Sequence, residues 1–191
     1  MTMKMIRLAA RAAALACGIT GLVSAVGCSS SSQPSWASAL GPSVTIVGPA
    51  TVAPGQGSPG AAVQGVFAAI AAKHYKAECP YFQPSVQAAC KSVPAADLSK
   101  DEPYFKSAAI GYVAIDGDKA LVGTTGTFCV PNVKPACFTN NDPAAIFSGN
   151  KNSFSTLWTE QDKASNSNSD ENVYTLAPCV KIGGKWYLGL S

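Results

Sequence analysis

The chain has little charge, and its basic residues are unevenly placed. Its 191 residues include 14 basic side chains, 11 acidic ones and one histidine. Lys4, Arg7 and Arg11 supply all the basic charge of the first 27 residues, and the rest has 11 lysines, 11 acidic residues and no arginine. Binding of nucleic acid needs a clustered basic surface. A neutral remainder without arginine does not offer one, so we expect no nucleic-acid partner.

No apolar run is long enough to cross a bilayer comfortably as a helix. The first run, residues 12–26, is uncharged, has 15 residues, and follows a short basic region. A transmembrane helix needs about 20 apolar residues, whereas a signal-peptide core needs about 7–15. The sequence therefore predicts that residues 1–27 are a signal peptide and that the mature protein lies outside the cell membrane.

The end of this run has the pattern of a lipidation signal. Ala25-Val26-Gly27 precedes Cys28, and four serines follow the cysteine. This resembles the signal of bacterial lipoproteins, with Ala25 where leucine is usual. The resemblance implies that Cys28 becomes a diacylglyceryl-modified, acylated (palmitate-bearing) N-terminus that holds the protein on the outer face of the cell membrane. The alternative is ordinary secretory cleavage, because Ala25-Val26-Gly27 also fits the small-x-small rule.

A tether is predicted between the anchor and the folded domain. No charged residue occurs from 12 to 72, and residues 29–60 contain five prolines and five glycines. This composition is typical of a flexible linker, so we assign residues 28–60 to a disordered tether. Residues 44–47 form a β-prone patch that could dock on the domain as an added strand. Residues 55–60 match the G-x-G-x-x-G pattern, but Pro59 removes a backbone N–H that would cradle a pyrophosphate, and we expect no cofactor.

Residues 61–191 are predicted to form a single α+β domain. Apolar residues at helical spacing predict a long helix over 61–78, and a short second helix is predicted over 84–91. Asp116-Gly117 and Gly183-Gly184 indicate hairpin turns between β-prone segments. Predicted strands cover 105–115, 119–130, 153–160, 173–182 and 185–190, with an exposed loop at 161–171. Pro178 would place its strand at an edge or a bulge.

The predicted order of elements has a counterpart among known folds. A long helix, a short helix and an antiparallel meander are followed by the hairpin of residues 180–188, which contains Gly184-Lys185-Trp186. This resembles the cone-shaped fold of nuclear transport factor 2 and ketosteroid isomerase, small domains of which hang from lipid anchors in actinobacterial envelopes. The resemblance implies an N-terminal helix packed on a curved antiparallel sheet of about five strands.

Five cysteines follow Cys28, and in an exported protein most of them should pair. The compact arrangement joins Cys79 to Cys90 and Cys129 to Cys137, and leaves Cys179 free and buried. Each bond would close a loop of about ten residues, which is worth about 2.5–3 kcal/mol in the chain-entropy model. Cys179 could instead pair with Cys129 or Cys137. With one histidine and no C-x-x-C motif, a metal site is not expected.

The sequence gives little support for catalysis. His74 continues the apolar stripe of the first predicted helix, so we expect a neutral ring that is at least partly buried, in the core or at its boundary, with its nitrogens hydrogen-bonded. In enzymes of the cone fold, His, Asp and Tyr side chains face into the cone, yet no predicted strand here carries an inward acid to act as a base. The candidate lining of a pocket or core is His74, Phe67, Tyr112, Trp158, Tyr174 and Trp186.

Three hypotheses follow. The first is a lipid-anchored envelope protein whose domain binds a protein partner or an apolar ligand without chemistry. The second is a cone-fold enzyme of the isomerase or dehydratase type. The third is a secreted interaction protein without a lipid. The mature N-terminus distinguishes the first from the third, and an acid paired with His74 in a cavity would favour the second.

Overall fold

A computed structural model describes most of the chain after residue 32. The described residues are 33–97, 104–105, 107–129, 137–149, 151–166 and 176–189. The chain divides into Met1–Ser32 and a compact unit, Gln33–Ser191. The predicted signal peptide and Cys28 lie outside the described residues. So does Tyr174.

The compact unit contains helices and an antiparallel sheet, which confirms the predicted α+β class. The helices are α1 (Ala37–Leu40), α2 (Pro59–Ala71), α3 (Pro84–Ser92), α4 (Ala145–Ser148) and α5 (Phe154–Asn166), and 3₁₀ turns occupy Tyr75–Ala77 and Cys79–Tyr81. The strands are β1 (Thr45–Val47), β2 (Tyr104–Phe105), β3 (Ala109–Asp116), β4 (Lys119–Cys129), β5 (Cys137–Asn140), β6 (Leu176–Ile182) and β7 (Lys185–Leu188).

Strand β4 is the centre of the sheet. The main path runs β1-β3-β4-β6-β7, and β2 and β5 also pair with β4. Near its start β4 lies between β3 and β6, and near its end it lies between β2 and β5. All of these pairings are antiparallel. An 11-residue strand with neighbours along most of its length has few backbone groups left for water.

Both predicted hairpins are present. Asp116 pairs with Lys119 across a two-residue turn, and Gly117 takes a positive φ of 59° there. Ile182 pairs with Lys185 across Gly183-Gly184, whose φ angles are 58° and 79°. Because glycine has no Cβ, it enters this conformation without the steric cost that other residues meet. The two turns therefore set the register of the β3–β4 and β6–β7 pairs.

Helix α2 covers one face of the sheet. The helix begins at Pro59, where Ser58 accepts a hydrogen bond from the Ala61 N–H through its Oγ. The side chains of Val63 and Phe67 are buried against strand residues of this face, which include Val122 and Trp186. Burial of side chains of this size is worth about 1.5–3 kcal/mol each. The helix and this face form the first of two cores.

The other face of the sheet is also covered. Side chains alternate between faces along a strand, so Leu121 points away from Val122 and belongs to a second core. Residues of α1, α4 and α5 pack against it, including Leu40, Phe147 and Leu157. The sheet is thus buried between helices on both sides.

The strand predicted over residues 153–160 is wrong, because helix α5 begins at Phe154. Phe154 and Trp158 fit an alternating pattern, but Phe154, Leu157 and Trp158 also fit the i, i+3, i+4 spacing of a helix face. Phe154 and Leu157 are buried in the second core and Trp158 packs at its border. The helix also takes in residues 161–166, which were expected to be an exposed loop.

The predicted tether is wrong for residues 33–60, which belong to the folded unit. Leu40 and Val44 are buried, and β1 pairs with β3 through Thr45–Val47. The ring of Trp36 stacks on Phe147 at 5.2 Å between centroids. These apolar side chains contribute enough buried area to order a segment whose glycines and prolines suggested a linker. The folded domain therefore begins near residue 33, not 61.

Helix α2 ends seven residues earlier than the predicted helix. Lys73 adopts a left-handed backbone with φ 57°, its N–H donates to the Ile70 carbonyl, and the His74 N–H donates to the Ala69 carbonyl. These two bonds are the Schellman motif that closes a helix. Glycine is usual at the left-handed position, so Lys73 gave no stop signal. The chain leaves the helix axis at this point, and His74 is exposed. The prediction that His74 is at least partly buried is therefore wrong.

Pro178 also differs from its prediction. It lies in β6, between β4 and β7, opposite Leu121. Its carbonyl accepts a hydrogen bond from the Gly189 N–H, just beyond the end of β7. The backbone groups of Pro178 therefore point to the β7 side, at a point where the β7 ladder has ended. An inner strand tolerates proline there because its missing N–H costs only the reciprocal bond to Gly189 at the end of the β6–β7 pair.

Both predicted disulfides are present. Cys79 is joined to Cys90, and Cys129 to Cys137, with 11 and 8 residues of separation. The first links the 3₁₀ segment to α3, and the second joins directly opposed residues of β4 and β5. Two disulfides indicate an extracytoplasmic location.

Substitution of Gly65 tests the contact between α2 and the 3₁₀ segment. An alanine Cβ at this position would overlap the ring of Tyr81. We expect Gly65→Ala to lower the free energy of unfolding by about 1–3 kcal/mol, as overpacking does, measured by denaturant titration. Gly57→Ala is the control, because its Cβ would meet no atom within 4 Å. In a Tyr81→Ala background Gly65→Ala should be harmless; an equal loss there would contradict the assigned contact.

Candidate functional site

The structure does not bring the predicted pocket residues together. Phe67 and Trp186 are buried in the core under α2. Tyr112 and Trp158 pack at the border of the core on the opposite face. The sheet separates the two pairs, and His74 is exposed beyond the end of α2. The aromatic side chains therefore fill two cores and do not line one cavity.

His74 has no catalytic neighbour in the described part of the chain. Within that part, His74 forms hydrogen bonds through its backbone, with Ala69 and Ala77. Glu78, the nearest acid in sequence, is buried at 2 % exposure while the His74 ring is exposed. A general acid–base pair needs its members within hydrogen-bond reach, and these two are not assembled that way.

Two buried groups were not singled out from the sequence as functional. Glu78 and Thr124 are the buried polar side chains of the described residues. Glu78 precedes Cys79 and therefore lies beside the first disulfide. No group of three or more His, Cys, Asp or Glu side chains capable of holding a metal occurs among the residues that the structure describes. Glu78 thus belongs to no recognisable metal site there.

Cys179 is the free thiol of the described residues, as the compact pairing predicted. Its Sγ lies 3.9 Å from the Pro59 carbonyl oxygen and 4.0 Å from that of Ala177. Burial raises the pKa of the Cys179 thiol far above its ordinary range, because the thiolate would lose its hydration. A thiol is nucleophilic as its thiolate. Cys179 is therefore a packing residue and not a nucleophile.

Aromatic contacts outside the first core fix the N-terminal segment and α5. The Trp36 ring meets Tyr112 edge-on at 5.1 Å, which fastens α1 to β3. On α5, the Trp158 ring lies 4.0 Å below the Lys119 Nζ, within the range of a cation–π interaction. Both tryptophans have structural partners, so neither is presented to a ligand as an open aromatic surface.

Among the described residues, a groove lies at the edge of β3. Its volume is about 460 Å³, which falls within the range of about 300–1,000 Å³ that is usual for ligand sites. No lining residue is charged. Its lining consists of Pro49, Ala50, Thr51, Val52, Gln64, Ala108, Ala109, Ile110, Thr125, Asn141 and Pro143. None of these residues was predicted as a site, because the groove joins five segments that are far apart in sequence.

Comparison with protein-family models, curated proteins and solved structures found no match. The resemblance to the cone-shaped fold therefore stays a prediction. Among the described residues, no helix combines the length and apolar character that membrane crossing requires.

Thiol labelling tests the assignment of the cysteines. In the native mature protein, without reductant, we expect no labelling of Cys179 by iodoacetamide at pH 8, because the thiol is buried and protonated. Denaturation without reduction should expose one thiol per chain if the Cys28 sulfur carries a diacylglyceryl group, and two if Cys28 is kept as an unmodified N-terminal residue. Mass spectrometry gives both counts. Rapid labelling of Cys179 in the native state would contradict its assigned burial.

Substitution of His74 tests whether its ring contributes to the fold. We expect His74→Ala to change the free energy of unfolding by less than about 0.5 kcal/mol, as exposed positions usually do. Phe67→Ala, in the core, should cost about 3–5 kcal/mol. Urea titration of both variants gives the comparison. A loss of 2 kcal/mol or more for His74→Ala, about the value for a stranded buried hydrogen-bond partner, would show that the ring is buried.

Proposed function

We propose that this chain is a lipid-anchored protein of the cell envelope whose single domain binds a partner or an apolar ligand and catalyses no reaction. The observation that carries the proposal is the pair of disulfides in a domain preceded by a lipoprotein-like signal. Disulfides persist in oxidising compartments, and export is what the signal sequence provides. Two acyl chains on Cys28 would hold the domain at the membrane, where one chain would not.

The arrangement of side chains supports binding over catalysis. The free thiol of Cys179 is buried and protonated, and the ring of His74 has no carboxylate partner in the described structure. The groove lacks a charged residue, so it offers no acid or base with which to start a proton transfer. What it offers is shape, apolar surface and neutral hydrogen-bonding groups, and these serve binding.

The proposal includes a structural relationship of this domain to the cone-shaped fold. The packing of α2 against the sheet and the hairpin of β6 and β7 support it. In such a domain the concave face would hold the ligand of an isomerase or dehydratase. Here the side chains of both cores fill the two faces of the sheet, which favours the binding role over that enzymatic alternative.

The anchor is tested by Cys28→Ala. We expect the wild-type protein to sediment with membranes and its mature N-terminus to be a diacylglyceryl-modified, acylated cysteine by mass spectrometry. The variant should appear in the soluble extracytoplasmic fraction or remain unprocessed. Cys17→Ala, within the apolar core, is the matched control and should leave processing unchanged. An unmodified N-terminus at Cys28 or Ser29 in the wild type would favour the secreted, non-lipidated alternative and overturn the proposed anchor.

A further inference from the structure

The groove lies where strand β1 departs from β3. β1 pairs with β3 at Val113–Ile115 only. Earlier in β3, Ala109 and Ile110 pair with β4 on one side, and on the other side they line the groove. Because successive residues of an antiparallel strand direct their N–H and C=O groups to alternate edges, one of these two residues bonds to β4 and the other directs one backbone donor and one acceptor to the groove.

The departure of β1 has a local cause. Pro49 follows two residues after Val47 and has no N–H to continue a ladder. The chain then crosses toward α2, so that Val52 packs against the first core. The segment of residues 49–52 and Gln64 of α2 therefore form one wall of the groove.

The opposite wall is the loop that contains Asn141 and Pro143. Asn140 holds this loop to the sheet, since its Nδ2 donates to the Thr124 carbonyl at 2.7 Å and its Oδ1 accepts from the Asp142 N–H at 3.2 Å. The Pro143 carbonyl meets the Tyr112 N–H at 3.5 Å. This loop therefore closes the β3 edge at Tyr112 and leaves it open at Ala109 and Ile110.

The edge strand at the other end of the sheet, β7, differs from β3. The outer edge of β7 is covered, because the Trp186 N–H donates to the Gln56 carbonyl and the Gln83 N–H donates to the Leu188 carbonyl. The chain thus supplies its own cover for β7. At β3 it builds two walls, and within the part of the chain that the structure describes no segment pairs with Ala109 and Ile110 on the groove side; Ala109 is exposed, whereas Ile110 has its side chain in the first core and is 6 % exposed.

We propose that this groove binds an extended, uncharged peptide segment of another protein, which pairs with β3 at Ala109 and Ile110 as an added strand in line with β1. The strand edge matches a peptide backbone, as in other cases of strand addition. Charged side chains would lose hydration against the uncharged residues that line the groove. Asp142, in the loop that forms one wall, is not a lining residue and accepts the Ala144 N–H through its Oδ1. Thr51, Gln64, Thr125 and Asn141 supply neutral polar groups for the peptide's side chains. The inference rests on the proposed binding function and names its site and partner class.

The test uses the mature protein extracted from the envelope in detergent and labelled with ¹⁵N. The probe is a capped hexapeptide of alternating threonine and valine, added up to about 5 mM, a concentration that would reveal the weakest specific affinities. We expect amide shifts at Ala109 and Ile110. A peptide with proline at its third and fourth positions, which cannot form the ladder, should bind at least tenfold more weakly, as should one with two glutamates.

Two tryptophan substitutions in one exposed segment locate the site. Ala50 lines the groove, whereas Ala53, three residues on, does not. We expect Ala50→Trp to fill the groove and weaken binding at least tenfold, and Ala53→Trp to stay within twofold of the wild type. An unchanged spectrum of each variant without peptide shows that the fold is intact. If Ala50→Trp disturbs it, Gln64→Trp, on the same wall, replaces it.

Several outcomes would overturn the proposal. The first is the absence of amide shifts at Ala109 and Ile110, and the second is equal binding by the proline peptide or by Ala50→Trp. The third is a concentration-dependent shift of the same amides without peptide, which would mean that a second copy of the chain fills the groove. If the groove proposal fails, the proposed lipid anchor still stands, because the mass of the mature N-terminus at Cys28 is measured separately. Conversely, peptide binding by an unacylated protein would remove the anchor and keep the groove.

Discussion

The structure depends on the burial of β4 on both of its faces. Leu121 and Val122 are neighbours in sequence, point to opposite sides and are both fully buried. Helix α2 covers one face of β4, and helices α1, α4 and α5 cover the other. The cover of the second face therefore combines a helix that precedes the sheet in sequence with two that follow β5. This explains why the segment of residues 33–60 is folded despite its glycines and prolines. Without Leu40 and Val44 the second face of the sheet would lose part of its cover.

Small residues in β3 and β4 make that close cover possible. A side chain on Gly123 would meet Phe147 of α4 at 3.1 Å, and one on Gly111 would meet the Pro143 carbonyl at 3.1 Å. Gly126 has a φ of 109° and lies against the Ser107 backbone. The loop of residues 141–143 therefore reaches the sheet because Gly111 and Gly123 leave room for Pro143. That loop is also a wall of the groove, so the packing of the second core and the shape of the proposed site have a common origin.

Local patterns predicted the features that depend on local chemistry. The two hairpins follow from Gly117 and from Gly183-Gly184, whose positive φ angles glycine adopts readily. The disulfides follow from short separations in an exported chain. Features that depend on the whole fold were missed. The spacing of Phe154, Leu157 and Trp158 suits either a strand or a helix face, and the space above β4 and β6 decides for the helix.

The site was beyond sequence analysis for a related reason. A stop at Lys73 needs a left-handed lysine, which no sequence rule for helix ends selects, and this stop is what places His74 outside the core. The groove needs β1 to leave β3 after Val47 and a loop from residues 141–143 to stand opposite. Each part is an ordinary segment by itself, and the segments become a site through their tertiary arrangement.

Amide hydrogen exchange of the native protein tests the central claim most directly. The account predicts that the amides of Leu121 and Val122 exchange only through global unfolding, because they lie in a doubly covered inner strand. It also predicts that the stretch Ala109–Ile110 exchanges faster than Val113–Ile115, which β1 covers. Exchange at Leu121 and Val122 as fast as in β7, or equal protection along the whole of β3, would contradict it.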